Sequence, residues 1–337
     1  MSSEPNSQYR RDPLGGAWII NARERGGRPM RSESPVHSRC PFCPGNEDET
    51  PPEVHRLSKA GKENEWRLRV VPNKYPALGQ WEVNDLQEKP CEEQDLFFTT
   101  LPGWGAHEVV IETPLHDSHI ATRSVEEIRD LLDTYAARIV ELSRDQHIKH
   151  VLPFKNHGAT AGTSQDHPHS QIVAMTVLPA VVRAKLDFSR KHFSRHGSCL
   201  ICDTIERESS MGERVVEMSD KFIAFCPFAS RCPFEVFIAP RSHNHDFALT
   251  RDTESLALTL RSVLGRLQSL LGDPPFNLVV HSTPNLISQS DMESQYHWHI
   301  EILPRLTQHA GFEWATGFYI NTKPPEEAAL ALRGVTV

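Results

Sequence analysis

One order of metal-ligand residues and secondary-structure patterns occurs twice in this sequence. In the first half, the pair Cys40 and Cys43 precedes an apolar strand, a histidine, a helical pattern, a second strand and an H-x-H. In the second half, the pair Cys199 and Cys202 precedes the same series. Such self-similarity indicates two copies of one structural unit. We therefore predict an α+β protein of two related units, each an antiparallel sheet with one long helix, whose sheets either join or pack face to face.

The length of the chain also favours two domains, because 337 residues exceed one typical hydrophobic core. We place the first unit at residues 1–180 and the second at residues 181–337. The charged stretch from Val181 to His196 is expected to form a helix that connects them.

Hydrophobic periodicity predicts one long helix in each unit. The first runs from about Val125 to Leu142, and Ser124 with Glu127 forms a capping box at its start. The second carries the apolar pattern from Leu256 to Leu271 and is expected to end at Gly272.

Each unit also offers two cysteines and two histidines. The first set comprises Cys40, Cys43, His116 and His167, and the second comprises Cys199, Cys202, His243 and His297. Zinc favours four such ligands, and a site whose ligands all come from the protein is structural. We predict two zinc ions per chain, with His281 and His299 as rival ligands in the second set. Free thiols with unrelated histidines, or a redox pair at Cys40 and Cys43, are the alternatives.

The stretch Asn156–Gln171 carries the candidate chemistry. Its glycines and small hydroxyl residues let backbone N–H groups close around a phosphate. His167 and His169 point to the same side if this segment is extended. A neutral imidazole beside a phosphate cradle can attack phosphorus as a nucleophile. A glycine-rich turn with a surface histidine pair is the alternative interpretation.

This stretch resembles the active-site motif of the galactose-1-phosphate uridylyltransferase family, a branch of the histidine-triad superfamily. The family pattern N-x-G-x-x-x-G-x-S-x-x-H-P-H-x-Q is matched without a gap by Asn156, Gly158, Gly162, Ser164, His167, Pro168, His169 and Gln171. The resemblance implies tandem histidine-triad-like units whose antiparallel sheets form a half-barrel with helices outside. It also places Cys40, Cys43, His116 and His167 on the family's zinc positions.

The resemblance further implies transfer of UMP between UDP-glucose and galactose 1-phosphate by a ping-pong mechanism. His169 would form a covalent uridylyl intermediate, with Ser164 and Gln171 holding the phosphoryl oxygens. Substrate contacts are expected at Arg28, Asn73, Asn156, Gly162, Thr163, Ser164 and Gln171, and in the tail at Phe312, Glu313 and Gly317. Because the family's tail often contacts the substrate of the partner subunit, a homodimer is expected.

Composition excludes several other classes of function. The net charge of −8 argues against a nucleic-acid surface. No apolar run is long enough to span a membrane, and the segment Met1–Pro5 lacks the layout of a signal peptide, so a cytoplasmic protein is expected.

Three alternative functions stay open. An ADP-glucose phosphorylase would use the same intermediate with inorganic phosphate as acceptor, and a nucleotide hydrolase would use water. A zinc-dependent binding module would need neither the cradle nor His169. The H-P-H-x-Q form of the motif favours uridylyl over adenylyl transfer.

Overall fold

The computed structural model describes residues 7–14, 16–27, 40–79, 98–286 and 292–336. The predicted substrate contact Arg28 lies outside these residues. None of the described helices has the length and hydropathy that crossing a bilayer requires.

Thirteen strands occur in the described part of the chain. They are β1 (Ser7–Arg11), β2 (Trp18–Ala22), β3 (His55–Lys59), β4 (Lys62–Pro72), β5 (Thr100–Pro102), β6 (Gly105–Ile111), β7 (His150–His157), β8 (His169–Met175), β9 (Val215–Met218), β10 (Phe222–Phe225), β11 (Val236–Pro240), β12 (Phe276–His281) and β13 (His299–Pro304).

Seven α-helices accompany these strands in the same described ranges. They are α1 (Val125–Leu142), α2 (Ala180–His196), α3 (Leu200–Met211), α4 (Thr253–Leu271), α5 (Met292–Gln295), α6 (Gly311–Thr316) and α7 (Pro325–Arg333).

The two units contribute to one continuous antiparallel sheet. Its strand order is β3-β4-β6-β8-β7-β12-β13-β11-β10-β9, and a small second sheet has the order β2-β1-β5. Five strands of each unit follow the same order outward from the central pair β7–β12, in which Phe276 lies opposite His157 and Val279 opposite Phe154. Of the two arrangements that the sequence left open, the sheets therefore join. The large sheet stays open among the described strands, because β3 and β9 form its edges.

Helices α1 and α4 cover one face of this sheet and contact each other. Their apolar stripes, which include Leu131 and Leu260, are almost completely buried against strand residues such as Val110 and Ile300. Each fully buried leucine or valine contributes roughly 1.5–3 kcal/mol relative to an exposed position. Because side chains alternate along a strand, His169 and Gln171 of β8 lie on the face opposite their neighbour Ile172. The helices thus fix the sheet and leave its other face for chemistry.

Both long helices form where the sequence predicted them. Helix α1 begins after Ser124, whose hydroxyl accepts from the Glu127 N–H at 3.2 Å while Glu127 accepts from the Ser124 N–H at 3.0 Å. Helix α4 ends at Gly272, whose φ of 64° is readily adopted only by glycine.

Cys202 lies within helix α3, with Cys199 at its N-cap. Two local expectations were wrong. The apolar pattern from Tyr296 to Leu303 predicts a strand over all eight residues, but the strand begins only at His299. A β-hairpin with buried aromatic side chains was the alternative interpretation of tail residues 310–321, but helix α6 forms there instead, because Glu313 accepts from the Ala310 N–H and closes a helical first turn. The division of the chain at residue 180 stays a prediction.

Candidate active site and metal sites

The four side chains of the first Cys/His set come together, with their ligand atoms all within 4.8 Å of one another. The Cys43 Sγ atom lies 3.3 Å from His116 Nδ1 and 3.6 Å from His167 Nδ1. Ordinary zinc bond lengths in a tetrahedron set a sulfur–nitrogen separation of about 3.6 Å. His167 Nε2–H donates to the Thr113 carbonyl at 2.8 Å, which leaves the Nδ1 lone pair directed at the cysteines. The donor set therefore fits a tetrahedral zinc ion.

The second set repeats this geometry. Cys202 Sγ lies 3.3 Å from both His243 Nδ1 and His297 Nδ1, and the four ligand atoms again fall within 4.8 Å. His297 Nε2–H donates to the Pro240 carbonyl at 3.0 Å, as His167 does to Thr113. Two equivalent sets of metal donors are thus present in the described residues.

The rival ligands His281 and His299 belong to a separate buried cluster with Glu301. The Lys185 ammonium lies at its centre, 3.3 Å from His281 Nε2, 2.9 Å from His299 Nε2 and 2.7 Å from Glu301 Oε1. Burial, followed by the neighbouring Lys185 charge, holds the pKa of His299 well below its usual range. Lysine therefore supplies the positive charge at this cluster and occupies the space that a metal ion would need.

His169 opens strand β8 with its ring almost fully buried. Its Nδ1–H donates to the His167 carbonyl at 2.9 Å, so the lone pair of the neutral ring lies on Nε2. Pro168, between the two histidines, has a fixed φ and limits movement of this segment. The Phe42 ring packs against the other side, with its centroid 5.5 Å from that of His169. These contacts present Nε2 as a nucleophile in one orientation.

Two cavities meet at His169. The first has a volume of about 190 Å³, and its lining includes the rings of Phe42 and Tyr75 as well as Gln171. The second has a volume of about 260 Å³ and is more polar, with Lys155 and Asn156 in its lining. A phosphorus atom beside His169 Nε2 could therefore carry a nucleoside on one side and a leaving phosphate on the other.

The sequence of this chain matches the family models of the N-terminal and C-terminal domains of galactose-1-phosphate uridyl transferase. The N-terminal model covers residues 3–179 and the C-terminal model covers residues 185–313, which is more than half of the sequence. The chain belongs to the galactose-1-phosphate uridyl transferase family. The resemblance carried by the motif Asn156–Gln171 is thereby confirmed, and so are the histidine-triad-like fold and its open half-barrel sheet.

Relatives in the galactose-1-phosphate uridyl transferase family have two kinds of activity. ADP-glucose phosphorylase of Arabidopsis thaliana is 34% identical over 339 residues, spanning 98% of this chain and 93% of the relative. Galactose-1-phosphate uridylyltransferase of Thermotoga maritima is 28% identical over 342 residues, spanning 98% and 99%. The family thus consists of enzymes that transfer nucleotidyl groups of sugar nucleotides.

Solved structures of the family include both kinds of enzyme. The Arabidopsis thaliana ADP-glucose phosphorylase with bound ADP-glucose has a TM-score of 0.79 and 32% identity, and covers 98% of each chain. A uridylyltransferase has a TM-score of 0.78 and 29% identity, and covers 97% of each chain. The fold is shared with both nearly equally, so it does not separate the two activities.

Most of the predicted site residues among those described line one of the two cavities. Asn73, Ser164 and Gln171 line the first cavity, and Asn156 and Thr163 line the second. The Thr163 hydroxyl donates to the Gln165 carbonyl at 3.0 Å and so also shapes its own loop. Gly162, between Asn156 and Thr163 along the chain, has a φ of 91°. This backbone conformation explains why the position is a glycine, because other residues rarely adopt it.

The predicted tail contacts lie elsewhere. Phe312 and Glu313 belong to helix α6, and Gly317 caps it. None of the three lines either cavity at His169 as the described residues of this chain form those cavities. Phe312 is half exposed. Their role as substrate contacts stays a prediction.

Sequence reasoning missed a buried ionic group beneath the nucleophile. Lys155 Nζ donates to both Glu112 carboxylate oxygens at 3.0 Å and to the His169 carbonyl at 3.2 Å. Arg123 Nη1 lies 3.0 Å from the same carboxylate. Burial alone would raise the pKa of Glu112, but the Lys155 and Arg123 charges lower it to about 2. The only sequence signal was Lys155 itself, a lysine inside an apolar strand pattern.

Replacing Glu112 with glutamine should lower the free energy of unfolding by about 3–5 kcal/mol, because Lys155 and Arg123 would remain buried without their counter-charge. Since the folded pKa lies below the ordinary value of 4.5, this stabilisation is present above about pH 4.5 and is lost as the pH falls towards 2. Chemical denaturation at pH 7 measures the effect.

The matched control is Glu65→Gln, because Glu65 also pairs with two cations, Lys59 and Lys62, but at the surface. Water screens those pairs, so this variant should change stability far less. Equal losses in the two variants would contradict the assignment of a buried ionic support.

Proposed function

We propose that this protein is a nucleotidylyltransferase that forms a covalent nucleotidyl intermediate on His169. The observation that carries the proposal is the hydrogen bond from His169 Nδ1–H to the His167 carbonyl, which leaves a lone pair on Nε2 where the two cavities meet. A binding module would need no such oriented nucleophile.

In the first step, Nε2 of His169 attacks the α-phosphorus of a sugar nucleotide. A P–N bond forms, the P–O bond to the β-phosphate breaks, and a hexose 1-phosphate leaves with the electron pair. In the second step, a phosphate oxygen of the acceptor attacks the same phosphorus and His169 leaves. The hydroxyl of Ser164 and the amides of Asn156 and Gln171 are the groups proposed to hold the phosphoryl oxygens in both steps.

Zinc in the first set would hold His167, whose carbonyl in turn orients the His169 ring. The proposed role of this metal is structural, since all four ligands come from the protein. The homodimer predicted from the tail remains part of the proposal, because α6 and the following residues carry exposed aromatic side chains such as Trp314 and Phe318.

As donor and acceptor we propose ADP-glucose and inorganic phosphate. The support is the 34% identity to the Arabidopsis thaliana ADP-glucose phosphorylase over nearly the whole chain, against 28% to the Thermotoga maritima uridylyltransferase. Uridylyl transfer between UDP-glucose and galactose 1-phosphate is the second candidate, favoured by the H-P-H-x-Q form of the motif from His167 to Gln171.

Intact-mass measurement of the enzyme after separate incubation with ADP-glucose and UDP-glucose distinguishes these candidates. We expect a gain of one adenylyl group at His169 from ADP-glucose, released as ADP by inorganic phosphate. A uridylyl adduct that is discharged by galactose 1-phosphate, with no adenylyl adduct, would establish the second candidate. If neither adduct forms and neither sugar nucleotide is consumed, the proposed function is wrong.

A further inference from the structure

Two side-chain amides flank the nucleophile, Gln171 in the first cavity and Asn156 in the second. An amide carries a donor NH2 group and an acceptor oxygen of nearly the same shape. Only the NH2 end attracts a phosphoryl oxygen, whereas the carbonyl end repels it. Catalysis therefore depends on which end of each amide faces the reacting phosphate, and the residue behind each amide decides this.

Asn277 of strand β12 lies behind Asn156. Its Nδ2 donates to Asn156 Oδ1 at 2.8 Å and to the Ala161 carbonyl at 2.9 Å. The oxygen of Asn156 is thus occupied by Asn277. The Nδ2 atom of Asn156 faces the cradle at Gly162, where a Cβ atom in place of a glycine hydrogen would lie 3.7 Å from it. The donor end of Asn156 is therefore the end presented to a bound phosphate.

His107 of strand β6 has the same relation to Gln171. The His107 Nδ1 atom accepts from the Ala77 N–H at 3.0 Å, so the proton of the neutral ring lies on Nε2. That N–H donates to Gln171 Oε1 at 2.8 Å. Asn73 Nδ2 lies 3.2 Å from the same nitrogen. Because an NH2 group is also a donor, it cannot accept the Nε2 proton in place of Gln171 Oε1. The oxygen of Gln171 is occupied, which turns its NH2 group outward.

We propose that Asn277 and His107 are positioning residues that lock the amides of Asn156 and Gln171 with both NH2 groups towards the reacting phosphate. Neither residue belongs to the glycine-rich motif, and neither lines the two cavities at His169. The inference rests on the proposed function, because it assigns the two amides to the phosphate of the His169 reaction.

The inference also gives the second unit a part in the first unit's chemistry. The segment before Asn277 packs directly on the cradle, where Asp273 accepts from His157 Nε2–H at 2.7 Å. A Cβ atom on Gly158 would lie only 2.7 Å from Pro275 Cβ, so the backbones approach as closely as glycine allows. The cradle is therefore built from both units, although its motif lies in one.

The first test is Asn277→Asp, which keeps the shape but removes the donor. The Asn156 amide should then turn its NH2 group to the new carboxylate and its oxygen to the phosphate. Under single-turnover conditions with saturating ADP-glucose, and separately with UDP-glucose, the rate constant of adduct formation should fall about 10²-fold. Zinc content and the apparent Kd of the sugar nucleotide should change much less.

The matched control is Asn285→Asp, because Asn285 Nδ2 also donates to two backbone carbonyls, those of Ser143 and Ile148, and Asn285 lines neither cavity at His169. This variant should form the adduct at the wild-type rate at a temperature where it is folded. In an Asn156→Ala chain, Asn277→Asp should add less than about a threefold loss, because its effect passes through Asn156.

The second test compares His107→Leu with His107→Gln. Leucine removes the donor and should slow adduct formation about 10²-fold, whereas glutamine can place an N–H group near the same point and should restore most of the rate. This rescue separates positioning from packing, since both replacements have similar volumes.

The outcomes separate this inference from the proposed function. A wild-type chain that forms no adduct with either sugar nucleotide overturns both. A wild-type chain that forms the adduct, with Asn277→Asp and His107→Leu equally fast, overturns the inference alone. The inference would also be wrong if Asn277→Asp slowed adduct formation as much in an Asn156→Ala chain as in the wild type. The effect of Asn277 would then not pass through the Asn156 amide.

Discussion

Replacing His169 with alanine should lower nucleotidyl transfer by about 10⁴-fold or more and abolish the covalent adduct. Of the residues described, His169 and Gln165 line both cavities, and the imidazole of His169 is the one with a nucleophilic nitrogen, because an amide nitrogen does not attack phosphorus. The fold and the zinc content should persist, since His169 is not a metal ligand in the proposed sets. Intact mass after incubation with ADP-glucose and UDP-glucose, together with steady-state rates, measures both effects.

The second unit supplies a matched control for this variant. His299 occupies the position of His169 in the repeat, and its Nδ1–H donates to the His297 carbonyl at 3.1 Å in the same way. Its Nε2, however, accepts from the Lys185 ammonium. His299→Ala should therefore retain adduct formation. If the His299→Ala variant were inactive and the His169→Ala variant active, the nucleophile would belong to the second unit and the assignment of His169 would be wrong.

A further check on the nucleophile uses chemical rescue. His169→Gly leaves space beside the cradle, and an imidazolide of the nucleotide carries its own leaving imidazole. We expect this variant to transfer the nucleotidyl group from the imidazolide to the acceptor. Near-normal transfer from the unmodified sugar nucleotide by His169→Ala would refute the assignment.

Removing a metal ligand should have a large effect on stability, and the effect on chemistry should depend on the unit. Cys40→Ser should lower both the melting temperature and the rate, because a metal ion in the first set would hold His167 and thereby the His169 ring. Cys199→Ser should lower the melting temperature with a smaller effect on the rate. Thermal unfolding and single-turnover rates of the two variants form the comparison.

Elemental analysis should find two zinc ions per wild-type chain and not three, since Lys185 fills the cluster of His281, His299 and Glu301. Each cysteine variant should retain one ion. A fully active preparation without metal would contradict the structural role in the first unit. A third ion that Glu301→Gln removes would contradict the role given to Lys185, whereas a third ion that Asp273→Asn removes would belong to the separate group of His119, His157 and Asp273.

The parts of the fold that could be predicted were those encoded locally. The capping box of Ser124 and Glu127, the glycine stop at Gly272 and the repeated order of cysteines and histidines are all visible in short stretches of sequence. The motif residues His167 and His169 are likewise neighbours in the chain. Local physics and repetition therefore sufficed to place helices α1, α2 and α4 and to propose the candidate site.

The residues that sequence reasoning missed act across long separations. His107 meets Gln171 across 64 positions, and Asn277 meets Asn156 across 121 positions. Both are ordinary polar residues in strand patterns, and only the strand order brings them behind the amides. Lys185, at the centre of the cluster of His281, His299 and Glu301, was missed for the same reason. It comes from helix α2, whereas its partners come from β12 and β13.

The pairing of β7 with β12 has a consequence for synthesis of the chain. His157 and its partner Phe276 are separated by about 120 residues, which a ribosome adds in roughly 6–24 s. During that interval the strand that leads into the phosphate cradle has an open edge, and open edges invite pairing with other chains. Translation that stalls between these two strands should therefore yield aggregation-prone nascent chains, which makes this interval the point where holding chaperones would matter most.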